Sequence, residues 1–329
     1  MAVPSEAFHA GHTEVSVILC AHNPRADYLA RVLQSLGAQK LPMDQWDLLI
    51  VDSASEEPLQ ARIDLSWHPR AQHLREEMPG LLSARMRGIQ EAFGELLVFV
   101  DDDTILDPDY LEQSLSISRH FPKLGVWGGS VLAEYEVTPP EWIGEYEHEI
   151  SVREISRDSW SNLPGMRDPW VIGAGMSVRR SLARRYAKIV EGDSRRHLLG
   201  RNPASLLGAE DIDLVLSVCD EGYGRGVFRS LKLIHLIPPH RCKPDYLEAI
   251  TKGNAASFHL IRYFRGEVGL IRSRGVLQNL WLKIKESRLP HHLRMYHQSV
   301  RAGIKLAEQI IRDDLTQRKG NGSRLGIPS

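Results

Sequence analysis

Apolar residues in the first hundred positions fall into short unbroken runs, each closed by polar ones. Val15-Ser16-Val17-Ile18-Leu19-Cys20 predicts a first strand, followed by Ala21-His22-Asn23-Pro24. Leu29, Val32, Leu33 and Leu36 recur at helical spacing, and Gly37 stops that helix. Trp46 to Val51 predicts a second strand that ends in Asp52-Ser53-Ala54-Ser55, and residues 70–78 a third. Pro79-Gly80 precedes a helix from about Leu81 to Ala92, and Leu96 to Val100 forms a fourth strand. A wholly apolar run of that kind is the habit of a strand buried on both faces of a parallel sheet. The order β-α-β-β-α-β, with polar residues at successive strand ends, predicts a doubly wound, mostly parallel α/β nucleotide-binding sheet flanked by helices.

Beyond Phe121 the pattern is less regular. Gly125 to Tyr135 predicts a strand, and residues 136–170, rich in Trp, Glu and Pro, predict a long loop or a pair of short helices over a site. Val171 to Val178 reads as a strand followed by a basic helix through Arg179-Arg180, and Leu206 to Glu221 as a helix. Gly226 to Pro239 reads as extended. Near the C-terminus, Tyr296, Val300, Ile304, Ala307 and Ile311 step by three or four residues and predict one apolar stripe on a basic helix.

A chain of 329 residues with 42% hydrophobic and 25% charged residues is ordinary for a globular protein with a real core. Cys20, Cys219 and Cys242 make no CxxC pair or metal-finger spacing, and their odd number argues against a disulfide framework, which fits a cytoplasmic setting. No apolar run reaches the roughly 18–20 residues that a membrane span needs. The net charge of −1 hides a division. Residues 251–329 hold 15 lysines and arginines against five acidic residues, leaving +10 there and −11 on the rest. This predicts two regions, residues 1–245 and a helical, basic appendage over 246–329. The appendage either meets an anionic membrane at its inner face or folds back on the acidic body. Nucleic acid is not an expected partner, because the acidic body opposes it.

Asp101-Asp102-Asp103 follows the fourth strand directly. Three carboxylates there would repel one another and lose hydration if left unpaired. They make sense around a divalent cation, Mg²⁺ or Mn²⁺, at the sheet edge where open α/β sheets hold ligands, or as a solvated acidic turn. Asp52, at the end of the second strand, is placed to accept hydrogen bonds from a base or ribose, or to close a turn. Glu210-Asp211 opens a helix, suiting either the helix dipole or a general base. His235 and His240 lie near a strand end, and either is a candidate third metal ligand. Gly173-Ala174-Gly175 lacks the third glycine of a dinucleotide fingerprint, and Walker A and GxSxG segments are absent.

Taken in order, these segments resemble a family 2 inverting glycosyltransferase of the GT-A fold, from about Val15 to Tyr246. VSVILCAHN resembles the family's opening strand and nucleotide-binding loop, with Ala21 and Asn23. LLIVDSAS resembles the strand with its base-contacting aspartate, Asp52, and PGLLSARMRGI the segment with an arginine by the nucleotide, Arg85. FVDDDTILDPDYL resembles the DXD element, implying Asp101 and Asp103 as metal ligands and Asp102 beside the donor. WVIGAGMSVRR is similar to the glycine loop on the acceptor side, implying roles for Trp170, Gly173, Ala174 and Gly175. LLGAEDIDL resembles the xED element, implying Asp211 as the base with Glu210 beside it. LIHLIPPHR resembles the segment whose histidine, His235, would be the third metal ligand. Met86 departs from the asparagine common after the arginine.

The resemblance implies single-displacement transfer from a nucleotide-diphospho-sugar, most commonly UDP-linked, to a hydroxyl of a saccharide or lipid-linked acceptor, with a divalent cation. Trp142, Trp160 and Trp170 would then flank the acceptor side. A catalytically silent sugar- or nucleotide-binding protein of the same fold is one alternative, opposed by the presence of both acidic elements. A nucleotidyltransferase is another, opposed by the Ala21-His22-Asn23-Pro24-Arg25 loop, which is not glycine-rich.

Overall fold

The computed structural model describes residues 13–163, 165, 168–202, 205–269 and 286–322, with side chains through residue 316. The first half follows the predicted order: β1 (Val15–Ala21), α1 (Ala26–Gly37), β2 (Trp46–Ser53), β3 (Ala71–Glu76), α2 (Leu81–Glu91) and β4 (Leu96–Asp101). Then come β5 (Thr104–Leu106), α3 (Tyr110–His120), β6 (Leu124–Tyr135), β7 (Ser159–Ser161), β8 (Ser177–Arg179) and α4 (Arg180–Gly192). The chain continues through α5 (Glu210–Asp220), β9 (Gly224–Ile237), α6 (Pro244–Phe264) and α7 (His291–Gly322). The expected loop region contains a 3-10 helix, Glu141–Ile150, besides β7.

The strands form one sheet in the order β3-β2-β1-β4-β8-β6-β9-β5, with β7 on β9. The six longer strands all run the same way, and only the three-residue strands β5, β7 and β8 oppose them. Alternation along β1 explains its unbroken apolar run. Val15, Val17 and Leu19 pack with Leu29 and Val32 of α1 and Leu111 of α3. Ile18 and Cys20 pack on the other face with Ile89 of α2, Leu182 of α4 and Val215 of α5. Full burial of each such side chain stabilises by about 1.5–3 kcal/mol. In register, Ala21 lies beside Asp52 and Cys20 beside Asp101, so three strand ends open at one edge. The connections diverge on either side of β1 there, the place where open α/β sheets leave a crevice.

Three sequence expectations are corrected. Residues 171–176 are not a strand: the Met176 N–H turns back to the Gly173 carbonyl, and only Ser177–Arg179 is regular. Residues 206–209 are not helical, because they run beneath α6, where the Gly208 N–H donates to Ser257 Oγ at 3.0 Å. Helix α5 begins at Glu210, with Glu210, Asp211 and Asp213 in its first turn facing the dipole's positive end.

The buried face of α7 is Met295, Ser299, Gly303, Ala307 and Ile311, so only Ala307 and Ile311 of the predicted stripe are buried. This face packs on α6 and, at its start, on the Glu141–Ile150 turn. A Cβ on Gly303 would stand 2.3 Å from the Lys252 carbonyl oxygen and 2.9 Å from Ala255 Cβ. Gly303→Val should therefore cost about 1–3 kcal/mol, read as a lowered Tm in thermal unfolding. An unchanged Tm would mean that α6 and α7 do not pack this closely. No helix among the described residues is long and apolar enough to cross a membrane.

Candidate active site

The carboxyl ends of β1, β2 and β4 open into a cavity of about 500 Å³, closed on its other sides by residues 170–174, the start of α5, the end of β9 and α6. Of the residues singled out from sequence, Ala21, Arg85, Asp101, Asp102, Asp103, Trp170, Gly173, Ala174, Glu210, Asp211 and His235 line it. Asn23, Asp52 and Gly175 do not.

Asn23 and Asp52 organise the neighbouring loop instead. Asp52 accepts from the Ser55 N–H at 2.9 Å, the Leu59 N–H at 3.1 Å and Arg75 at 2.8 Å, and these contacts hold its carboxyl below its ordinary pKa against the effect of burial. Asn23 Oδ1 accepts from the Glu56 N–H at 2.9 Å. Gly175 lies behind the cavity wall, its carbonyl accepting from Tyr110 Oη at 2.7 Å.

Arg85 is the centre of the arrangement. Its guanidinium, on a side chain only 4% exposed, donates to Glu210 at 3.0 Å and to Asp101 at 3.3 Å. It thereby ties the end of β4 to the start of α5. Burial works against its charge, but Asp101, Glu210 and Asp211 outweigh burial and hold the proton on. Burial raises the Glu210 carboxyl, which Arg85 only partly offsets. Asp211 points beside this pair. One of its oxygens accepts from the Gly173 N–H at 2.8 Å and the other from the Ile212 N–H at 2.8 Å, so its orientation is fixed by backbone. A Cβ on Gly173 would stand 2.8 and 2.9 Å from the Arg85 guanidinium nitrogens and 3.1 Å from Asp211. Glycine is what lets these charges converge.

The aspartate run is braced within itself, the Asp101 N–H donating to Thr104 Oγ1 at 3.1 Å. Burial, then the neighbouring Asp103 and Asp101 charges, push Asp102 upwards. Burial works to raise Asp103 too, but His235 and Arg241 outweigh it and hold that carboxyl well below the usual range. His235 Nε2 lies 3.4 Å from Asp103, whereas His240 packs edge-on against Tyr246 and does not line the cavity.

The oxygen-rich donor set of Asp101, Asp102 and Asp103 with one imidazole has the chemistry of a Mg²⁺ or Mn²⁺ site. The buried Nδ1 of His235 has no hydrogen-bond partner, and Nε2 is the ring nitrogen turned towards Asp103. However, Arg241 Nη1 stands 3.0 Å from Asp103 and 2.8 Å from His235 Nε2, and among the described residues no three His, Cys, Asp or Glu side chains form a metal-ready cluster. The residue types suit a divalent cation, and Arg241 stands against two of them.

Of the three tryptophans expected on the acceptor side, only Trp170 is in the cavity. Trp142 stacks on His292, and Trp160 packs at a tilt against Phe121. Sequence reasoning missed His22, whose Nδ1 sits 2.6 Å from the Ser53 carbonyl, and also Arg241. It missed Asn254 and Phe258 of α6 as well, which line the far wall. There Asn254 donates to Glu149 at 2.7 Å. No periodic signal marks any of these. Arg241 alone had a cue, as the last residue of the histidine segment LIHLIPPHR.

A family model described as glycosyl transferase family 2 matches residues 16–185. EpsH of Bacillus subtilis (strain 168), whose glycosyltransferase name is itself provisional, is 34% identical over 103 residues, 31% of this chain and 29% of that protein. The glucosyl-dolichyl phosphate glucuronosyltransferase of Haloferax volcanii is 24% identical over 135 residues, 40% of this chain and 42% of that protein. The chain thus spans less than half the length of these curated relatives. The mannosyltransferase PcManGT of Pyrobaculum calidifontis, solved with GDP-Man and Mn²⁺, superposes with a TM-score of 0.53 at 16% identity, covering 97% of this chain and 77% of that one. That likeness is one of fold.

Proposed function

The chain belongs to glycosyl transferase family 2, and from that membership we propose that it moves a sugar from a nucleotide-diphospho-sugar to an acceptor hydroxyl with inversion at the anomeric carbon. The observation that carries this reading is Arg85, which holds the carboxylates at the end of β4 and the acidic start of α5 against one cavity. One acidic group suits the donor's diphosphate through a cation. The other suits the acceptor's proton.

In this reading Asp211 takes the proton from the acceptor hydroxyl as its oxygen bonds to the anomeric carbon, and the bond to the diphosphate breaks on the opposite face. The Gly173 and Ile212 N–H groups hold the carboxylate in line for that transfer. Arg85 and the buried Glu210 act as positioning residues. A divalent cation, when bound by Asp101, Asp103 and His235, would supply neutralisation of the departing diphosphate. The catalytic unit drawn at residues 1–245 also needs α6, since Asn254 and Phe258 complete the cavity. The acceptor is a saccharide or a lipid-linked one. Contact with an anionic membrane would rest on charge, because the apolar face of α7 is covered by α6.

The test of donor and metal is calorimetry against UDP- and GDP-sugars with Mn²⁺ and then with EDTA. One donor should bind, and EDTA or Asp103→Ala should abolish the binding. Donor affinity unchanged by both treatments would remove the metal from the mechanism. Gly173→Ala should lower kcat about a hundredfold, the cost of a displacement near 1 Å at a reacting group, with the Tm little changed. A fully active Gly173→Ala protein would break the link between that loop and Asp211.

A further inference from the structure

Neither the strand-end carboxylates nor the family resemblance anticipates Arg241. It stands in the 3-10 turn Pro239–Cys242 directly after β9, and its N–H closes that turn on the Pro238 carbonyl at 3.0 Å. Two successive prolines fix the backbone there. The side chain is 27% exposed and lines the cavity, so it is placed at the site without being sealed in.

Its guanidinium donates to Asp103 at 3.0 Å and to His235 Nε2 at 2.8 Å. Those are two of the three groups that would hold a divalent cation. An imidazole nitrogen has one lone pair and serves one partner at a time. A guanidinium and a metal ion beside the same carboxylate also repel each other. The two cations therefore exclude one another at Asp103 and His235.

We propose that Arg241 is the resident counter-ion of the unloaded site and makes cation binding conditional on nucleotide. A donor diphosphate offers the guanidinium a planar, bidentate partner. Drawn to it, Arg241 releases Asp103 and His235 to the cation. This rests on the metal-assisted reading above. It adds an order of assembly: weak cation binding to the free protein, and mutual strengthening of cation and nucleotide. Such coupling is reciprocal by thermodynamic necessity.

The experiment is a titration of Mn²⁺, with free ion read by electron paramagnetic resonance, into wild type, Arg241→Gln and Arg241→Lys, each without nucleotide and with UDP or GDP. In wild type, nucleotide should tighten Mn²⁺ binding roughly 5–150-fold. Arg241→Gln should bind Mn²⁺ tighter by a similar factor without nucleotide and lose most of the coupling, while Arg241→Lys, which keeps the charge but not the bidentate fork, should still bind Mn²⁺ weakly without nucleotide and show a reduced coupling. Wild type alone keeps the idea testable if a variant fails to fold, since absence of coupling overturns it. If nucleotide tightens Mn²⁺ binding in wild type but Arg241→Gln without nucleotide binds the ion no tighter than wild type without nucleotide, only the role of Arg241 falls. If Mn²⁺ binds none of the three proteins under any condition, the metal-assisted reading falls with it.

Discussion

Asp211→Asn is expected to lower kcat by roughly 10²–10⁴-fold, the contribution of a positioned general base, while donor affinity is retained. The substitution is nearly isosteric, and the amide oxygen can still accept from the Gly173 N–H that fixes Asp211 at 2.8 Å. What disappears is the capacity to take a proton. The barrier rises by about 3–5 kcal/mol, with ground-state binding unchanged. Initial rates at saturating donor, with calorimetry of donor binding on the same preparation, separate the two quantities. Retained turnover would move the base elsewhere in the cavity. Loss of donor affinity equal to the loss of rate would make Asp211 a binding residue instead.

The second large effect is on stability. Arg85→Met should cost about 3–5 kcal/mol, because removing one partner of a buried ion pair strands the other. Glu210 is 5% exposed and its carboxylate would then have no opposing charge at 3.0 Å. The double variant Arg85→Met/Glu210→Gln should recover much of the loss, a coupling measurable by chemical denaturation.

The pH dependence follows from the same pair. Burial already raises the folded-state pKa of Glu210 above its ordinary 4.5. The folded chain therefore binds this proton more readily than the unfolded chain does. Stability from this group falls as pH rises above the unfolded value. Deleting Arg85 removes the charge that opposes the shift. The deficit of Arg85→Met should accordingly be smaller at pH 5 than at pH 8, and a deficit independent of pH would point to lost packing alone.

The part of the fold that could be read from the chain is the part built on alternation. β1, β2 and β4 are buried on both faces, so apolar runs mark them, and the residues that break those runs stand at the cavity or in the loop beside it. Glu210-Asp211 is legible for a related reason, being acidic residues at a helix start. Residues 171–176 misled because they do pair with β4, Gly175 donating to the Phe99 carbonyl at 3.0 Å and Phe99 to the Met176 carbonyl at 2.9 Å, yet turn back on themselves between the two bonds. Apolar content reports burial there, not regularity.

Helix α7 misled in the opposite sense. Its buried face includes Ser299 and Gly303, small residues selected for closeness to α6, which a search for large apolar side chains passes over. Asp52 and Asn23 sit at the predicted edge but spend their polar atoms on a loop, and no pattern in the sequence separates that use from ligand contact. The histidine segment marked the position of Arg241 but not its role, because that role lies in its contact with Asp103, far away along the chain.

The cavity lining comes from different stretches of the chain: one wall from strand ends and α2 before residue 104 with His235 and Arg241 at the end of β9, and a second from residues 148–151, Trp170 and α6. In the proposed reading the first wall receives what is given away and the second what is built upon. A lineage could therefore rewrite residues 148–151, Trp170 and α6 while keeping His235 and Arg241, and change its product with its supply intact. The same division tells an engineer where a graft should begin and end.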